Sequence, residues 1–142
     1  MAEFIFLPAV YIGLVIGLYE MFLVHKDEAF RGSHWLKHGW HALLVTMFFV
    51  FLAMNVDFIY SVIPGLETIP ILSNILIIRI AIGLLAMVKV HAAAAVIKSS
   101  GLGPSIGETW AHSFVIAILI TTSPYIWPFL EPFVAGTLKL PI

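Results

Sequence analysis

Four apolar stretches, each nearly free of charge, constrain this chain more than any other feature: about Phe4–Val24, Trp40–Tyr60, Ile71–Ile97 and Thr109–Trp127. A hydrocarbon layer about 30 Å thick is crossed by roughly 20 helical residues. Backbone groups in lipid must be satisfied within the segment, so runs of this length are expected as helices. Of the 142 residues, 61% are apolar and 11% charged, whereas a soluble domain holds about 25% charged residues. That leaves too few polar side chains to cover a water-facing surface. Glu3 and no basic residue precede the first apolar run, so a cleavable signal peptide is not expected.

The first and third stretches repeat each other. Ile12–His25 lies over Ile78–His91, 66 residues later, with seven of fourteen positions identical. The matches are Ile12/Ile78, Ile16/Ile82, Gly17/Gly83, Leu18/Leu84, Met21/Met87, Val24/Val90 and His25/His91. Each copy leads through a polar loop into a returning stretch that opens with Trp40 or Trp110. The duplicated unit is a helical hairpin, and two copies in one sense imply a pseudo-twofold axis along the membrane normal. The expected fold is an all-α integral membrane protein: an antiparallel four-helix transmembrane bundle of two duplicated hairpins, a parallel repeat. It forms a single membrane domain over 1–142, with repeat 1 at about 4–60 and repeat 2 at about 71–127.

Lys26, Arg31, Lys37 and Lys98 fall in the loops 25–39 and 98–108, with Lys89 beside them, against Lys139 alone on the other side. The positive-inside rule places both loops in the cytoplasm and both termini outside. Ser105 and Glu108 have the spacing of a capping box, predicting the start of the fourth helix near Ile106. Pro124, Pro128 and Pro132 lack amide donors and clash with the preceding turn, so residues 128–142 are expected as an interfacial tail.

Gly13 and Gly17, and in the third stretch Gly83 and Ala86, suit close helix packing, inside the bundle or against a partner. Glu20, Arg79, Asp57 and Lys89 are the charges within or bordering the spans. Buried charges need partners. Counting at 1.5 Å per residue, Glu20 and Arg79 lie about 10 Å apart in depth, too far to pair. The same count matches Arg79 to Asp57 and Glu20 to Lys89.

Histidines gather toward one membrane face. His34, His38 and His41 have the spacing of one helical face, and His25, His91 and His112 lie at the same end. They are either interfacial structural side chains or candidate ligands for a transition metal or an axially held haem b. No chemistry-bearing motif accompanies them. Cysteine is absent, and Gly101–Gly107 lacks the Lys-Ser/Thr ending of a phosphate loop. A formal charge of −1 excludes a nucleic-acid binder of the usual basic kind. The expected role is a non-catalytic accessory subunit of a larger membrane complex, such as a membrane-bound oxidoreductase or monooxygenase, in contact with lipid and other subunits or with its own copies. The alternatives are a metal- or haem-binding redox subunit and a small oligomeric transporter or channel.

Overall fold

The computed structural model of the chain describes residues 2–27, 35–99 and 110–138, with side chains over 2–23, 39–92 and 110–136. Among them the regular elements are all helical: α1 Leu7–Asp27, α2 Trp35–Met54, α3 Val56–Val62, α4 Ile75–Ser99 and α5 Trp110–Leu138, with a 3-10 turn at Leu66–Thr68. α1 packs along α2 and α4 along α5; α2 also meets α4 and α5, and α1 meets α5.

Ile75–Ala92 and Trp110–Gly136 are long and apolar enough to cross a membrane. Gly39–Met54 with Val56–Val62 makes a third crossing if this pair, bent by 60°, counts as one span. The apolar part of α1, Leu7–Leu23, is shorter. Four equivalent, unbroken spans are therefore not present among the described helices. The first helix starts late, with Pro8 in its first turn, where a missing amide costs nothing. The second is interrupted.

Apolar residues surround every helix, so small side chains select the buried face. On α1 the buried stripe is Ala9, Ile12, Gly13, Ile16, Gly17 and Glu20, spaced three and four apart; on α4 it is Arg79, Gly83, Ala86 and Val90. A Cβ on Gly17 would sit 3.1 Å from the Leu43 carbonyl oxygen, and one on Gly83 would run into the Thr121 hydroxyl. Gly13 is likewise closed by the Met47 backbone. These glycines are thus occupied inside the bundle, not left open to a partner.

The interruption at Asn55 separates α2 from α3. Asn55 is 2% exposed. Its side-chain Oδ1 accepts from the Ile5 amide at 2.8 Å, and its Nδ2 donates to the carbonyls of Ile5 and Phe51, each at 2.9 Å. One side-chain amide thus ties the non-helical segment before α1 to the end of α2, adding a second donor to the Phe51 carbonyl, which already accepts from the Asn55 amide. Asn74 does a related service for α4, its Oδ1 accepting from the Leu76 amide at 2.9 Å as an N-cap. The connection between α3 and α4 turns at Gly65, whose φ of 87° suits glycine, and is held by Tyr60, whose hydroxyl donates to the Leu72 carbonyl.

α5 corrects the expectation of a tail. It runs as one helix through Pro124, Pro128 and Pro132 to Leu138. A helical proline frees the carbonyl four residues earlier. The Ser123 hydroxyl donates to the Ile120 carbonyl at 2.7 Å, re-satisfying the one that Pro124 frees. Thr122 donates to Ile118 at 2.7 Å. The four-residue spacing also confines the three defects to one side of the helix. The capping-box pair Ser105 and Glu108 lies outside the described residues.

Replacing Asn55 with alanine removes all three side-chain bonds and leaves buried backbone groups unpaired. Asn55→Ala is expected to cost about 1–3 kcal/mol, read as a lower midpoint of denaturant unfolding in detergent. Faster amide exchange at Ile5 should accompany it; unchanged exchange there would refute the tie.

Candidate functional site

Two polar constellations, one partly and one fully buried, lie at opposite ends of the bundle. The first centres on Arg79, which α4 carries on its core stripe at 8% exposure. Its Nε donates to the Ala53 carbonyl at 3.2 Å, in the last turn of α2, where carbonyls lack helical partners. Nη2 meets Asp57 Oδ2 at 2.6 Å, and Nη1 donates to the Tyr125 hydroxyl at 3.0 Å. Asp57 lies in the first turn of α3, where a carboxylate also complements the free amides. Arg79 therefore bridges both sides of the α2–α3 break and reaches α5. Arg79 and Asp57 are the partners that the depth count matched. The Asp57 side chain is 48% exposed, so water screens part of the attraction.

The second constellation joins α1 to α5. Glu20 is 1% exposed, and its Oε2 lies 2.8 Å from His112 Nε2. Glu20 does not pair with Lys89, which is exposed on α4. Lys89 precedes Val90 by one residue, about 100° around the helix from the stripe that faces the core. The signal was available in the sequence: the stripe Arg79, Gly83, Ala86, Val90 already turns Lys89 outward. His112, two residues into the returning stretch, lies near the depth of Glu20 by the same count. Asn55 carried no such signal, being one asparagine within an apolar run.

The remaining histidines divide. The His91 ring stacks on Trp110 with centroids 3.7 Å apart and planes at 15°. Its Nδ1 is buried with no hydrogen-bond partner among the described residues. His41 is exposed on α2, and the side chains of His25, His34 and His38 lie outside the described residues. Among the described residues no three His, Asp or Glu side chains are grouped to hold a metal ion. The Glu20–His112 pair holds an imidazole in fixed orientation, as carboxylates do for histidines elsewhere. It is enclosed, with the His112 side chain 9% exposed.

No known protein family, no characterised protein and no solved structure matches this chain.

The Arg79 contacts predict an order of stability loss. Arg79→Ala should cost most, about 1–3 kcal/mol, because it uncaps the Ala53 carbonyl and removes the bonds to Asp57 and Tyr125. Arg79→Lys should cost less but not little, since one ammonium cannot serve Ala53, Asp57 and Tyr125 as a fork does. Asp57→Asn should cost least, being half-solvated. Denaturant titration of the three variants in one detergent checks the order.

A double-mutant cycle separates the partners of Glu20. Glu20→Ala and His112→Ala should show a coupling of about 1 kcal/mol or more, and Glu20→Ala with Lys89→Ala a coupling near zero. The reverse pattern would return Lys89 to the site.

Proposed function

We propose that this chain is a structural accessory subunit of a larger membrane complex. One observation carries the reading: the buried Arg79, Asn55 and Glu20 are each engaged within the chain, while the outer surface is apolar on several sides. Arg79, Asp57, Tyr125 and Asn55 complete the fold at one end and Glu20 and His112 at the other. On α4 the outward residues include Leu76, Ile80, Leu84, Leu85 and Val88, and on α1 Val15 is 66% exposed and Phe22 61% exposed. A surface of this kind suits lipid or neighbouring subunits.

In this reading α1 and the bent pair α2–α3 complete four crossings with α4 and α5, both loops 25–39 and 98–108 face the cytoplasm, and the bundle descends from a duplicated hairpin. The glycines agree with the duplication in kind, Gly17 packing on α2 and Gly83 on α5, though their contacts fall at least one turn apart in the repeat. In the 66-residue register Glu20 stands opposite Ala86, and with Trp40 set on Trp110 His112 stands opposite Ala42. The polar pair is therefore an asymmetric addition to a symmetric frame.

A second reading, a redox subunit holding a transition metal or haem b, draws on the buried His91 Nδ1, which has no hydrogen-bond partner among the described residues. His25, His34 and His38 would have to supply further ligands.

Native mass spectrometry on the protein extracted from its own membrane in a mild detergent tests both. The accessory role predicts a mass well above 15.7 kDa with different chains attached. A bare monomer would overturn it, and extra mass matching haem or a metal would favour the second reading.

A further inference from the structure

The segment ahead of α1 and the far part of α5 line a half-open cavity of about 520 Å³. Its walls include Glu3, Phe4, Phe6, Leu7, Trp127 and Glu131. The volume falls in the range of small-molecule sites, about 300–1,000 Å³.

The walls are built by the fold itself. Residues 2–6 are not helical, yet the buried Asn55 side chain holds both backbone groups of Ile5. The Phe4 ring lies edge-on to Phe51 at 5.5 Å and to Phe58 at 5.0 Å. Trp127 is 9% exposed and stacks on Tyr11 with centroids 6.4 Å apart. These contacts set Glu3 on one wall, while α5 sets Glu131 and Trp127 on another.

Charge then selects the occupant. Both titratable side chains on the walls are carboxylates, and neither has an ion-pair partner among the described residues. No described lining residue is cationic. Anionic ligands are repelled, and a neutral apolar ligand gains nothing from either carboxylate. An ammonium gains from both carboxylates and from the faces of Trp and Phe rings, which attract cations through their quadrupoles. The apolar remainder of the walls suits a hydrocarbon body on that cation. We propose that this cavity binds an organic ammonium group carried on an apolar body, whether a free amine or the head group of an aminolipid.

The test uses the full chain in maltoside detergent, with Trp35→Phe, Trp40→Phe and Trp110→Phe leaving Trp127 as the only fluorophore of its kind. The probe is a nitroxide bearing a trimethylammonium group, with the neutral hydroxyl nitroxide as control. Saturable quenching of Trp127 by the cationic probe is expected at about tenfold lower concentration than by the neutral one. Glu3→Gln with Glu131→Gln should bring that ratio close to one. These conservative changes lie on exposed side chains, and an unchanged Trp127 emission maximum shows that its surroundings are intact. In a second arm the protein sits in phosphatidylglycerol nanodiscs doped with brominated phosphatidylethanolamine or brominated phosphatidylglycerol. Carboxylate-dependent quenching by the aminolipid identifies a lipid head group, and quenching by the soluble probe alone identifies a free amine. Equal quenching by cationic and neutral probes, or a preference that survives the double substitution, would overturn the proposal.

Discussion

A backbone amide or carbonyl without a partner in apolar surroundings costs several kcal/mol by the estimates for hydrocarbon, and the interruption at Asn55 exposes the chain to that cost. Its solution organises the molecule. Asn55, at the break, satisfies both backbone groups of Ile5 with its side chain and adds a donor to the Phe51 carbonyl. Arg79 caps Ala53 from a neighbouring helix while pairing with Asp57 across the break. A polar defect in α2 thereby recruits the start of the chain, α4 and, through Tyr125, α5. The bend is stable because other elements complete it, which is the condition for irregular backbone at such depth.

The other polar contact works on the same logic at the opposite end. Glu20 and His112 are ninety-two residues apart and join α1 to α5, as Arg79 joins α4 to the α2–α3 break. Between these ends the helices close on small residues, with Gly17 against Leu43 and Gly83 against Thr121 and Ala117. Such packing matters most where the surroundings are as apolar as the side chains and burial alone gives little preference. Polar contacts then specify which helix meets which, and small residues decide how closely.

Part of this was legible before any coordinates. The stripe Arg79, Gly83, Ala86, Val90 marks the buried face of α4, and the depth count brings Arg79 to Asp57. Depth alone pairs Glu20 with Lys89, yet Lys89 has the right depth and the wrong rotation, and depth is only one of the coordinates that place a helical side chain. The prolines of α5 do not stop the helix. Their effect depends on whether the freed carbonyls find partners, and Ser123, adjacent to Pro124, provides one for Ile120.

The sequence by itself determined that the chain forms long apolar helices, that its few charges need internal partners, and that glycines mark the contact faces. These are local properties, carried by composition and by a period of 3.6 residues. Only the tertiary structure decided where α2 breaks, which group receives Glu20, and how residues 2–6 come to wall a cavity with α5. Helices apolar on all sides carry almost no signal of their own rotation. Partners such as Asn55 and Ile5, fifty residues apart, are therefore chosen by the packing of the whole bundle.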